Sequence, residues 1–232
     1  MVDWVSKKSY DIKDLEEIVR LLRSPGGCPW DIEQTHESIR RDFLEETYEV
    51  IEAIDEGSTE HLKEELGDVL LQVVFHSRIE QEEGRFTLDD VADGVCKKLV
   101  LRHPHVFGDV QVSGTGDVLR NWEEIKKKEK HQKTVGDTLE SVAKSLPALI
   151  RAEKVLHKAA KAGYEKMTAD EAADAARAAL ERAEHNPDEE SIGALLSAAV
   201  KLAELADIDP EGALEKQTDA VIERVKAADA AK

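Results

Sequence analysis

Apolar residues recur every three to four positions along most of the chain, the period of an amphipathic helix. The clearest stretch spans residues 43–75. Leu44, Tyr48, Ile51 and Ile54 make one stripe, and Leu62, Leu66, Val69, Leu70, Val73 and Val74 make a broader one. Gly57-Ser58-Thr59 lies between them and supplies a helix stop followed by an N-cap. So short a connection predicts an antiparallel hairpin with both stripes turned into a core. Before it, Asp11 caps a helix striped by Ile12, Leu15, Ile18, Val19 and Leu22, and Ser24-Pro25-Gly26-Gly27 ends that helix. Thr35 is expected to open the helix that carries the first stripe. After the hairpin, Gly84 marks a stop and Thr87 begins a helix with Asp89 and Asp90 in its first turn. Pro104 closes that helix. A polar loop over 108–116 leads to a helix from Asp117, and residues 131–138 read as a linker.

The second half is Ala-rich and again helical. Residues 147–161 form one helix, closed by Gly163, and Thr168 with Glu171 reads as a capping box for the next. Asn186-Pro187 and Asp209-Pro210 each place an N-cap before a proline and predict two more starts. The helices after Thr168 repeat the order of the first half. Ile192-Gly193-Ala194-Leu195-Leu196 lies in register over Leu66-Gly67-Asp68-Val69-Leu70, and residues 220–224 lie over 98–102. In that register Glu65 becomes Ser191, Asp68 becomes Ala194 and Lys98 becomes Ala220, with Arg224 retained over Arg102. The pattern predicts an all-α protein with two units, 1–130 and 131–232, the second a repeat stripped of its acids.

Composition narrows the functions open to it. A net charge of −18 over 232 residues argues against nucleic acid and membrane surfaces as general partners. It does not exclude a nucleotide, since a bound metal and a few cations can invert the local field. Cys28 and Cys96 read as small packing residues, with nothing pointing to an oxidising compartment. The first eight residues lack the apolar core of a signal peptide, and no apolar run approaches the ~20 residues of a membrane span. A cytoplasmic location is expected.

The hairpin carries the candidate chemistry. Glu45, Glu46 and Glu49 cluster on its first helix, and Glu65 and Asp68 on its second. Residues three or four apart share a helical face, so Glu46 points with Glu49, and Glu65 with Asp68. Like charges converging beside a core repel, and a hard divalent cation relieves the repulsion. Solvated acids on an acidic surface are the plain alternative for either cluster alone. Lys98 and Arg102 form one cationic face near a helix C-terminus, where charge–dipole complementarity also accounts for them. Trp30 is either a core plug or part of a pocket, and Trp122 is a candidate partner-helix contact. His103 and His105 flank Pro104 without a third soft ligand nearby, so packing or a hydrogen bond fits better than zinc.

In order, GGCPWD at 26–31, EExxE at 45–49, ExxD at 65–68, EEGRF at 82–86, RHPHVF at 102–107 and NWEEIK at 121–126 resemble the MazG family of nucleoside triphosphate pyrophosphohydrolases. The likeness is close over roughly residues 11–165. It implies an all-α fold, a homodimer and Mg²⁺-dependent hydrolysis of a nucleoside triphosphate to monophosphate and pyrophosphate, in nucleotide-pool housecleaning. It implies Glu46, Glu49, Glu65 and Asp68 as metal ligands, with Mn²⁺ as a substitute ion, and leaves Glu45 to orient or deprotonate water. Lys98 and Arg102 would clamp phosphates, Trp122 would reach the base and Lys126 a phosphate. The resemblance also places the Trp30 loop near the site. The two-domain family pattern carries acids in both halves, and this chain departs from it. Remaining alternatives are a narrow-substrate relative acting on dUTP, dCTP or phosphoribosyl-ATP, a non-catalytic Mg–nucleotide sensor, and a structural helical interaction protein.

Overall fold

The computed structural model describes residues 4–130 and 132–230, and every regular element among them is a helix. His131, inside the expected linker, lies outside the described residues. The chain divides into two compact units, residues 1–118 and 119–232. The division falls within α7 (Thr115–Glu129), N-terminal to the 130/131 boundary expected from the sequence.

The first unit holds α1 (Ile12–Leu22), α2 (Pro29–Glu33), α3 (Arg40–Glu56), α4 (Thr59–Glu82), α5 (Leu88–Arg102) and α6 (Pro104–Phe107). Asp11 caps α1 by accepting the backbone N–H groups of Lys13 and Asp14. Thr87 and Asp90 form the capping box of α5. Gly57 turns the chain at φ +66°, a conformation side chains with a Cβ rarely adopt, and Ser58 Oγ then accepts the His61 N–H at 3.3 Å. That tight turn makes α3 and α4 the expected hairpin. α1 and α5 pack on α4, and the buried core of Val19, Ile39, Val74, Phe75 and Ile79 gathers around the second half of α4. Arg23 braces the same end, donating to Glu82 at 2.8 Å and to the Asp31 carbonyl at 2.6 Å.

Four expectations for this unit need correction. Thr35 opens a turn rather than a helix. Its N–H donates to Ser38 Oγ at 2.9 Å and its hydroxyl accepts from the Ser38 N–H at 3.3 Å, so local side-chain bonds replace the first helical ones and α3 starts at Arg40. Only part of the hairpin stripes forms a core within this unit, with Val74 buried in it. Leu44, Ile54 and Leu66 are each more than half exposed, because α1 and α5 cover α4 and leave the α3 side open. Trp30 is 61% exposed on the short α2, which rules out the core plug. Cys28 and Cys96 are free thiols, and Cys96 is exposed rather than packed.

The second unit contains α8 (Val135–Glu140), α9 (Ala148–Lys161), α10 (Ala169–His185), α11 (Glu189–Leu205) and α12 (Pro210–Ala230). α8 occupies the second half of the expected linker, capped by Thr134. The Thr168–Glu171 box and the Asp209 cap form as expected, the latter accepting the Glu211 and Gly212 N–H groups at 3.1 Å. Asn186 does not cap α11. Asp188 does, accepting the Ser191 N–H at 2.8 Å, while the Ser191 hydroxyl donates to the Asn186 carbonyl at 2.7 Å. α10 and α11 form a second hairpin, whose α10 face buries Ala172, Ala179 and Ala183, and α9 packs on α11.

Candidate functional site

Glu46 and Glu49 stand one turn apart on α3, and Glu65 faces them from α4. One carboxylate oxygen from each lies within 4.8 Å of the others. Helical spacing puts the first two on one face, and the Gly57–Ser58 turn brings the third across. Glu65 is buried, and Glu46 and Glu49 are half-buried. Crowding shows in their acidities. Burial, reinforced by the charges of Asp68, Glu49 and Glu65, pushes the Glu46 carboxyl up to about 7. Burial, then the charges of Glu49 and Asp68, also lifts Glu65, and the adjacent His61 offsets part of that. Asp68 thus acts on both carboxyls, although it stands outside the group of three converging oxygens.

His61 is the neighbour that sequence reading missed. Its Nε2 sits 3.2 Å from Glu65 and its Nδ1 2.9 Å from Glu56. The hydrogen bond and charge of Glu56, and the charge of Glu65, raise its pKa above the ordinary value. The i,i+4 spacing to Glu65 was the available signal. It passed unread because His61 sits in the first turn of α4, beside its cap.

An all-oxygen set of three converging carboxylates suits a hard divalent cation. Ligands at about 2.0–2.1 Å from Mg²⁺ lie at most about 4.2 Å apart, so the observed spread needs only small rotamer adjustments. The raised Glu46 pKa fits the same conclusion: burial, with the charges of Asp68, Glu49 and Glu65, disfavours the ionised cluster, and a bound cation would favour it.

Residues 34–107, which span α3 to α6, match the MazG nucleotide pyrophosphohydrolase domain. The nucleoside triphosphate pyrophosphohydrolase/pyrophosphatase MazG of Thermotoga maritima is 41% identical over 218 residues, covering 92% of this chain and 84% of that protein. The chain belongs to the MazG family. The nucleoside triphosphate pyrophosphohydrolase of Escherichia coli K12 is 40% identical over 90% of this chain and 83% of its own length. The uncharacterized protein YabN of Bacillus subtilis is 53% identical over 146 residues, and there the chain spans only 30% of a longer protein.

The remaining residues expected from MazG resemblance are distributed as follows. Glu45 is exposed on α3 beside Glu46. Lys98 is exposed on α5, and among the described residues no carboxylate pairs with it. Arg102, one turn further on, is buried and already engaged by neighbouring groups. Trp122 and Lys126 belong to the second unit, where the Lys126 Nζ lies 4.7 Å from the centre of the Trp122 ring. His103 makes a 2.6 Å hydrogen bond through Nδ1 with the Leu99 carbonyl, the local role expected of it.

Proposed function

We propose that this chain hydrolyses nucleoside triphosphates to monophosphate and pyrophosphate, using Mg²⁺ held by Glu46, Glu49, Glu65 and Asp68, with Mn²⁺ able to substitute. The convergence of Glu46, Glu49 and Glu65 carries the reading. The names of the Thermotoga and Escherichia relatives support the same chemistry. When bound, the ion would neutralise phosphate charge and lower the pKa of a coordinated water. Glu45 orients the attacking water and takes its proton. The water oxygen bonds to the α-phosphorus, the bond to the bridging oxygen breaks, and pyrophosphate leaves. Lys98 and Arg102 hold the phosphates, and Trp122 and Lys126 contact base and phosphate.

The open apolar stripe of α3 and α4 supports a homodimer, in which a second copy would cover Leu44, Ile54 and Leu66. No helix among the described residues is long and apolar enough to cross a membrane, and we assign the enzyme to the cytoplasm and to cleansing of the nucleotide pool. The second hairpin is read as a duplicated unit that lost its ligands. Ser191 is buried to the same degree as Glu65, its counterpart in register.

Pyrophosphate release from a panel of ordinary and modified nucleoside triphosphates, with and without Mg²⁺, tests this. Metal-dependent release that falls by about 10²- to 10³-fold in Glu49→Gln is expected. Tight Mg–nucleotide binding without release would replace the hydrolase with a sensor. Release confined to dUTP, dCTP or phosphoribosyl-ATP would narrow the substrate class.

A further inference from the structure

The second unit contains a cavity of about 710 Å³, within the size range of small-molecule sites. Its walls carry Lys126 and Lys127 from α7 with Lys130 just beyond its end, and Lys154, Lys158 and Lys161 from α9. Over the whole chain acids outnumber bases by 50 to 32, so six lysines around one cavity invert the prevailing charge. Four carboxylates share the lining: Glu123, Glu153, Glu204 and Asp207. Two of them are taken. Glu123 pairs with Lys161 at 2.5 Å, and Glu204 pairs with Lys201 at 2.6 Å and His157 at 3.2 Å.

Lys127, Lys130, Lys154 and Lys158 have no carboxylate partner among the described residues. Glu153 and Asp207 share the lining, yet lysines outnumber acids there by six to four, and a polyanion would balance the excess. The field is felt at Glu123: burial would raise its carboxyl, yet Lys161, Lys127 and Lys158 hold it below its ordinary value. Trp122 offers an aromatic wall, and Val135, Val142, Leu146 and Ile208 add apolar lining. Flexible lysines arranged in this way are suited to the several oxygens of a phosphate chain rather than to one planar carboxylate.

We propose that this cavity binds a phosphate-chain anion, either inorganic pyrophosphate or triphosphate or the phosphates of a nucleotide. Lys127 and Lys130 reach it from one wall, and Lys154 and Lys158 from the other. Trp122 and Lys126 are also among the substrate contacts proposed above, so the base-recognition part rests on that reading. The α9 lysines stand apart from it and define a phosphate site within the second unit. Such a site gives the acid-poor unit a ligand of its own.

Calorimetric titration of the full chain in EDTA, with inorganic pyrophosphate, inorganic triphosphate and ATP, tests the inference. About one anion per chain is expected, with affinity falling as salt rises. Lys154→Gln/Lys158→Gln should weaken it by about tenfold or more, whereas Lys226→Gln, outside the cavity lining, should leave it unchanged. Equal affinity for triphosphate and ATP assigns an inorganic phosphate chain, and tighter ATP binding lost in Trp122→Ala assigns a nucleotide. Should the α9 pair reduce helicity by circular dichroism, Lys127→Gln/Lys130→Gln on the facing wall carries the same test. Absence of binding, or binding indifferent to both lysine pairs, overturns the proposal. Hydrolysis is measured separately, so failure of the reaction and failure of this site are different results.

Discussion

The α3–α4 and α10–α11 hairpins use one architecture for opposite ends. Each joins two helices through a short turn and buries one polar residue near the start of its second helix, Glu65 or Ser191. At α3–α4 the facing positions are Glu46 and Glu49, whose oxygens converge with Glu65 and whose apolar stripe stays open. At α10–α11 the facing surface is Ala172, Ala179 and Ala183, and Ser191 spends its hydroxyl on the Asn186 carbonyl. The first hairpin tolerates like-charge repulsion at its centre, which an ion would relieve, and the second packs small apolar groups there. The difference lies in a few side chains: carboxylates that converge in the first hairpin, and small apolar groups packed in the second.

The sharpest way to break the comparison is to give the second hairpin an acid. Ala179 is 1% exposed, and a glutamate there would place a carboxylate in a closely packed alanine face, so Ala179→Glu should cost about 3 kcal/mol or more in chemical denaturation. A loss under about 1 kcal/mol would mean that the hairpin opens easily enough to solvate the charge.

The pH dependence of the first hairpin is the next largest effect. Folded, Glu46 keeps its proton up to about 7, whereas its ordinary pKa is 4.5. Between those values the folded state binds more protons than the unfolded one, so this group makes metal-free stability fall as pH rises from about 4.5 to about 7. The proton must leave for an ion to bind, so Mg²⁺ affinity should climb by up to about tenfold per pH unit below about 7 and level off above it. Thermal unfolding with and without Mg²⁺ at pH 5.5 and 8 reads both trends. A larger metal-induced shift at pH 5.5 would contradict them.

His61→Ala removes the imidazole that holds Glu65 and should weaken Mg²⁺ binding about tenfold while leaving helicity intact. Unchanged affinity in a calorimetric titration would make His61 a bystander. The smallest effect is expected at Ser191→Ala, which deletes a capping partner in the second hairpin and should cost about 1 kcal/mol without changing Mg²⁺ affinity.

The sequence by itself determined the helical class, most caps and the hairpin that carries the acids. Those features depend on residues close together in the chain: a glycine with positive φ at 57, a hydroxyl at Ser58, and carboxylates one turn apart. It also carried the motif order that marks the family. Tertiary structure decided what depends on distant partners. It set which of the acids converge, placing Glu46, Glu49 and Glu65 together with Asp68 beside them. It left the α3 stripe open, because periodicity reports that a face is apolar and not what covers it. It moved the α3 start past Thr35 and the α11 cap to Asp188, where local hydrogen bonds competed with helix initiation. It also gathered lysines from α7 and α9 around one cavity. Residues roughly thirty positions apart cannot advertise such a gathering through any local period, since helical spacing reports neighbours only within about one turn.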